Sequence, residues 1–388
     1  MRILLVTRDP VGRGANFVRA LDLGRAMAGE GHAISLLAGR ASPGIASIHR
    51  DAQGVEILSA ASFEPVWIRR SGWSPLEIVS RMFTLRGRRF DVVHVFGHRP
   101  SGWMPASLLR RLGAALVADW SDWFGTGGIA ARRGLVGRWT VGWADEKLEM
   151  LMARWSTAVT VLTRTLEAMA LARGYPARHV LRLTAGANTE AIRPLPKQAA
   201  RIQLGLDPLR PVVMNLGLSA WDRAGVIEVF SEIARLDSQA TLVLVGTRMP
   251  LAVRRALGSE QADRWIEVPF VPHDDLGPVL ACADVILLPL PRNGMNLGRF
   301  PNQAADAMAA GRPLVTNPTG DLGAFVAETG AGLLADEDAG PMAEAAVRLL
   351  RDTKLAADLG RNGRRAAVER LAWPILADKV LSLYENLA

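Results

Sequence analysis

The chain has 388 residues, 49% of them apolar, which exceeds one ordinary core, so two domains are expected. Its formal charge of +8 is uneven: residues 1–195 hold 26 Lys/Arg against 15 Asp/Glu, and residues 196–388 hold 20 against 23. No apolar run approaches the roughly 20 residues that span a bilayer. The lone cysteine, Cys282, excludes an internal disulfide and a zinc site built on paired cysteines, so a reducing cytoplasm is expected.

Residues 1–8 (MRILLVTR) carry too short an apolar run for a signal peptide and read as a first strand. Residues 3–7 are followed by a glycine-bearing loop with Gly12 and Gly14. An amphipathic helix then runs through Phe17, Leu21, Leu23 and Met27 to Gly31, and residues 33–37 form the next strand. This strand–helix–strand opening predicts a doubly wound parallel sheet. Gly12-Arg13-Gly14 is no dinucleotide fingerprint, because the third glycine is missing, which disfavours a nicotinamide-dependent oxidoreductase. Residues 41–75 read as irregular apart from a strand at 55–58. Residues 81–89 (RMFTLRGRR) are basic with apolar members, and either lie on a membrane or expose their arginines.

Strands are expected at residues 90–96, 115–118 and 158–162. After the second of these come Asp119, Trp120, Asp122 and Trp123, carboxylates and aromatic faces of the kind that bind sugars, at a strand end where such sheets place ligands. A packed tryptophan pair with helix caps is the structural alternative. Residues 131–155 read as one helix. A proline-bearing linker, residues 192–197 (IRPLPK), places the domain boundary near residue 194. The second half restarts with a strand at 212–216, then Gly217 and a helix after Arg223.

Residues 283–318 are the most informative stretch. An apolar strand at 285–290 leads to a loop with Asn293, Gly294, Asn296, Leu297, Gly298 and Pro301. A helix of strong formers at 304–310 follows and stops at Gly311. A helix start offers unpaired N–H donors and partial positive charge, which suits a diphosphate. Asp306, in its first turns, is placed to accept hydrogen bonds from a ribose diol.

The segment FPNQAADAMAAGRPLV (residues 300–315) resembles the donor-binding segment of retaining glycosyltransferases of family 4, where the pattern is roughly Pro-x-Lys-x-x-Glu-x-Met-Ala-x-Gly-x-Pro-Val-Val. Asp306 stands at the acidic position and Gln303 at the lysine. The likeness runs through nearly the whole chain in order, and includes Asp-Val-Val-His at residues 91–94 and Gly186 with Asn188. It implies a GT-B fold: two Rossmann-like doubly wound domains with an interdomain cleft, residues 1–193 on the acceptor side and 194–370 binding the donor, with a helix in 371–388 crossing back. It implies a nucleoside-diphosphate sugar donor, UDP- or GDP-linked, with no cofactor and no metal. Gly12, Gly14, Gly217, Arg223, Val271, Asn296, Leu297, Gly298, Asn302 and Asp306 would hold that donor, and His98, Arg223 and Asp306 would act on the departing diphosphate or sugar. Asp119, Trp120, Asp122 and Trp123 are the acceptor candidates.

Three positions depart from the pattern. Leu218 replaces an arginine, Phe96 a second histidine, and Gly298 the first glutamate of the family's Glu-x7-Glu, which binds the donor sugar. His273 reads as a neighbour of a helix cap. The basic first half suits a lipid-linked or glycan acceptor at an anionic membrane surface, since each basic residue there contributes about 1 kcal/mol; a merely solvated surface is the alternative. No nucleic-acid motif is present. The expectation is therefore a retaining glycosyltransferase acting at the inner membrane face. The alternatives are transfer to a soluble natural product and a non-catalytic nucleotide-sugar-binding subunit.

Overall fold

The computed structural model describes residues 1–217, 222–246, 248 and 264–387. Two compact units emerge, one from residues 1–185, 297–299 and 373–388, the other from residues 186–296 and 300–372. Among the described residues no helix is long and apolar enough to cross a membrane.

The first unit is an eight-stranded sheet: β1 (Arg2–Pro10), β2 (Ala33–Gly39), β3 (Ser47–Arg50), β4 (Glu56–Ser59), β5 (Val92–Phe96), β6 (Ala115–Trp120), β7 (Ala158–Val161) and β8 (Val180–Arg182). Their order is β3-β4-β2-β1-β5-β6-β7-β8, parallel except for β3, which runs antiparallel to β4. Alternate residues of β1 serve opposite layers. Ile3 and Leu5 face a core with Phe17, Leu23 and Met27 of the Ala15–Gly29 helix and with Leu376 and Val380 of the Trp373–Glu385 helix. Leu4 and Val6 face Ala106 and Leu109 of the Pro100–Arg111 helix. Strands buried on both faces read as unbroken apolar runs, which is why the sequence exposes them so clearly.

The second unit is a six-stranded, all-parallel sheet of β9 (Val212–Leu216), β10 (Thr241–Val245), β11 (Trp265–Val268), β12 (Val285–Leu288), β13 (Leu314–Thr316) and β14 (Gly332–Leu334). Its order is β11-β10-β9-β12-β13-β14. Val213, Leu244 and Leu287 meet Val229 and Phe230 of the Arg223–Leu236 helix and Met342 and Ala346 of the Ala339–Arg351 helix. The proline-bearing linker packs onto this unit: Arg364 donates to the Thr189 and Ile192 carbonyls and Arg312 to that of Leu195.

Three local expectations are corrected. Residues 131–155 are not one helix: a 3-10 turn at Ile129–Arg132, a short turn at Leu135–Gly137 and a π-turn at Arg138–Gly142 precede the helix Trp143–Trp155. Gly134, Gly137 and Gly142 break it, each interior glycine costing about 1 kcal/mol relative to alanine. A Cβ on Gly142 would lie 2.9 Å from that of Ala130, so the chain also folds back too closely for any larger residue. Residues 41–75 hold the edge strand β3 and the helix Val66–Ser71. Arg81 is not a surface charge: it is fully buried, its Nε donating to Glu77 at 2.9 Å and its Nη1 to the Thr7 carbonyl at 2.9 Å.

Candidate active site

In the second unit the direction of strand succession reverses between β9 and β12, and the loops after both strands open at their carboxyl ends. Such a switch point is where open parallel sheets hold ligands. After β9 comes Gly217, with φ of 57°, a left-handed conformation glycine tolerates. A Cβ there would sit 3.0 Å from Gln303 Nε2, so this turn lies against the first turn of the helix Asn302–Ala309. Arg223 is the first residue of the next helix, half-buried, and its Nε has no hydrogen-bond partner among the described residues. Leu218 lies outside the described residues.

After β12, the loop is braced from inside. Asn296 is buried and donates to the Pro291 carbonyl at 2.8 Å, while its own N–H donates to Asn293 Oδ1 at 3.0 Å. Asn317 is buried at the end of β13. It accepts from the Leu290 N–H at 2.7 Å and donates to the carbonyls of Ala335 and Asp336, tying three strand ends together. Leu297 is half-buried and Gly298 buried; with Arg299 they group with the first compact unit, while their chain neighbours group with the second. Pro301, at the N-cap of the helix Asn302–Ala309, offers no side-chain cap bond, and Asn302 after it is half-buried.

Asp306 is 3% exposed and accepts a hydrogen bond from His273 Nε2 at 3.0 Å. His273, expected only as a capping neighbour, instead opens a 3-10 turn (His273–Asp275) and holds that carboxylate. Two residues before it, Val271 is half-buried and follows an exposed Phe270. The pairing of His273 with Asp306 spans 33 positions and leaves no trace in local sequence.

In the first unit the switch point lies between β1 and β5. Gly12 and Gly14 follow β1 with φ of 75° and 97°. A Cβ on Gly14 would strike the Asp9 carboxylate at 2.3 Å; Asp9 Oδ2 accepts the Asn16 N–H at 3.1 Å, closing the loop over the helix start. Burial raises the Asp9 carboxyl above the ordinary range, against the pull of Arg8.

His98, after β5, is buried with its ring against Phe124 at 4.2 Å. Its Nε2 bonds Asp145 Oδ1 at 3.0 Å, and its Nδ1 is buried with no partner among the described residues. Burial holds the ring below its ordinary pKa, with Asp145 opposing, so the neutral form prevails near neutral pH.

The acceptor candidates divide. Asp119 is 1% exposed and fully committed, accepting from Arg19 Nε and Nη2 at 3.2 and 3.1 Å and from Thr160 Oγ1 at 2.6 Å. Trp120 is buried, donating to Glu149 at 2.8 Å beneath the Arg173 guanidinium. Neither offers a surface to a sugar, and the expectation is corrected for both: the guanidinium that claims Asp119 comes from 100 residues away. Asp122 and Trp123 are half-buried, and burial pushes the Asp122 carboxyl up to about 6. Trp123 lies on the Gly127-Gly128 pair, where a Cβ would come within 2.8 Å of its ring.

Glu149 accepts from Trp120 Nε1 and from the Phe124 and Gly125 N–H groups, yet burial pushes its carboxyl up to about 7. Because an acid whose folded pKa is raised favours the protonated folded state, stability should fall as pH rises from about 4.5 to about 7. Glu149→Gln should flatten that limb of a urea-denaturation series, with an effect on the order of 2 kcal/mol. An identical slope in the variant would refute it.

Two family descriptions match the chain: "Glycosyl transferase 4-like domain" over residues 17–186 and "Glycosyl transferases group 1" over residues 210–352. The chain belongs to the family 4-type glycosyltransferases. It is 30% identical over 214 residues to the D-inositol 3-phosphate glycosyltransferase of Segniliparus rotundus, a match covering 51% of this chain and 45% of that protein. The matches span about half or less of the length of these curated relatives. The fold of this glycosyltransferase is GT-B: sucrose-phosphate synthase from Thermosynechococcus elongatus superposes with a TM-score of 0.79 at 21% identity, covering 100% of this chain and 99% of that one. Anabaena HepE in complex with UDP-glucose superposes with a TM-score of 0.71 at 16% identity, with 100% of both chains covered.

Proposed function

We propose that this glycosyltransferase moves a sugar from a nucleoside-diphosphate sugar to an acceptor hydroxyl with retention at the anomeric carbon. The observation that supports the reading is that Arg223 and Asp306 both lie beyond adjacent strands at the second unit's switch point, one with a buried Nε that has no partner among the described residues and the other a braced, buried carboxylate. Asp306 grips the ribose diol and His273 fixes its rotamer. Arg223 and the helix start after Pro301 meet the charge of the diphosphate. The acceptor oxygen attacks the anomeric carbon on the face the diphosphate leaves, its proton passing to a departing phosphate oxygen. The backbone near Phe270 and Val271 reads the base, and Gly12, Gly14, Asn296, Leu297, Gly298 and Asn302 shape the donor loops. UDP is favoured as the nucleotide, because structural neighbours were solved with UDP and UDP-glucose. The acceptor is a lipid-linked or cell-surface glycan precursor, held at an anionic membrane.

A second reading, a binding subunit without turnover, has its own support: Gly298 stands where the family has a sugar-binding glutamate, and Phe96, at the second histidine position, is 1% exposed inside the sheet. A panel of UDP-, GDP- and dTDP-sugars separates the two. Donor at 100 times its Kd should add about 2.7 kcal/mol to stability. Turnover should be present and should fall about ten- to a hundredfold in Arg223→Ala, the worth of one charge-assisted hydrogen bond. Binding without turnover favours the subunit, and no stabilisation by any donor overturns both readings.

A further inference from the structure

We infer that the helical layer over one face of the first unit's sheet is a docking surface for an anionic lipid bilayer, through residues other than the buried Arg81. The inference deepens the membrane-borne acceptor proposed above and rests on that reading for its purpose.

The helix Pro75–Thr84 turns Ile78 to the core and presents Leu76, Val79 and Phe83 to water, at spacings that share one face. The helix Pro100–Arg111 buries Ala106 and Leu109 and presents Met104 and Leu108, with exposed Leu112 just past its end. Each helix therefore carries a second, outward apolar stripe that the fold does not use. The two lie side by side over an apolar groove floored by Val79, Met82, Pro105 and Leu109. Large exposed stripes of this kind are rare on a surface that meets only water.

Charge decides the occupant. Arg86 and Arg89 at the end of the first helix, and Arg110 and Arg111 at the end of the second, are all exposed. From residue 78 to residue 118 the only acidic residue is Asp91, which is paired with Arg2. Glu77, just before, is buried against Arg81. Apolar stripes flanked by four exposed arginines, with Arg88 of the groove paired to Glu56, complement an anionic bilayer, which takes the side chains into its headgroup boundary and the guanidinium groups onto its phosphates. The layer continues laterally, since Trp103 meets Trp155 edge-on at 5.6 Å. That neighbouring helix, Trp143–Trp155, exposes Trp143 and Trp155, a residue type that settles at the bilayer–water boundary.

Flotation of the full chain on vesicles of phosphatidylcholine, with and without phosphatidylglycerol, tests this. Binding should need the anionic lipid and fade with salt. Arg86→Glu with Arg89→Glu should lower the partition coefficient by about thirtyfold or more. Phe83→Ser with Leu108→Ser, at positions 66% and 42% exposed, should lower it about tenfold or more without moving the thermal midpoint. Absence of flotation by the wild type, or binding unchanged in both variants, overturns the surface. So does a concentration-dependent dimer that the same substitutions dissolve, which would assign the stripes to a second copy of the chain. Donor-induced stabilisation measured in parallel stays intact in all these cases if only the surface is wrong, and its loss from the wild type marks failure of the transferase reading instead.

Discussion

Asp306→Asn lowers kcat/KM for the nucleotide sugar by about a hundred- to a thousandfold, the largest kinetic effect expected in the chain. The carboxylate sits in the helix behind β12, and His273 Nε2 already holds one of its oxygens at 3.0 Å. A ribose presents two hydroxyls, each hydrogen bond to an ionised acceptor being worth about 1.5–3 kcal/mol, and an amide both weakens them and turns a donor toward one of them. His273→Ala should raise KM for the donor with little change in kcat, because it frees the rotamer without removing the charge. Initial rates across donor concentrations check both, and a change below about threefold in Asp306→Asn would rule out the ribose role. A free nucleotide should show the same loss of affinity by calorimetry, which separates binding from the transfer step.

The largest expected loss of stability comes from Asp145→Ala, about 3–5 kcal/mol. Asp145 is fully buried and accepts from His98 Nε2, Arg99 and Arg133 at 2.9–3.2 Å. Removing the anion shared by the buried Arg99 and the half-buried Arg133 leaves their charge uncompensated, which costs far more than the pairing itself contributes. The thermal midpoint should drop by roughly 6–20 °C in a unit of this size. A shift of one or two degrees would mean that water reaches the cluster. Because His98 loses its orienting partner in the same variant, any residual activity reports on that ring as well.

The parts of the fold that were legible in the sequence are those whose burial leaves a local pattern. Residues 212–216 read as a strand because a parallel strand covered on both sides must be apolar throughout. The edge strand β3, SIHR, is exposed along its length and carries no such pattern. The helix Pro100–Arg111 carries Gly102 and Pro105 in its interior, both buried, and these residue types give no helical signal in the sequence. For the proposed site, the places of Gly217, Arg223 and Asp306 beyond strands β9 and β12 were legible in the sequence. His273 with Asp306, Arg19 with Asp119 and Asn317 with Leu290 are pairings made by topology across 33, 100 and 27 positions, and no window of sequence contains both partners. The contrast between Asp119 and Asp306 shows the limit: the sequence puts both near strand ends, yet Asp119 lies within β6 and is claimed by Arg19 from 100 positions away, whereas Asp306 lies in the helix after the β12 loop and is held by His273.

The helix Trp373–Glu385 completes the core of the first unit although the second unit is encoded between them. Tyr384 is fully buried, with its hydroxyl 2.7 Å from His94 Nδ1 in β5. During translation, residues 1–185 therefore leave the ribosome before Leu376, Val380 and Tyr384, which complete the core around Ile3, Leu5 and Phe17, have been made. The second unit, nearly continuous in sequence, can close first. A cut shortly before Trp373 should therefore loosen the first unit while sparing the second, which limited proteolysis followed by thermal unfolding would read.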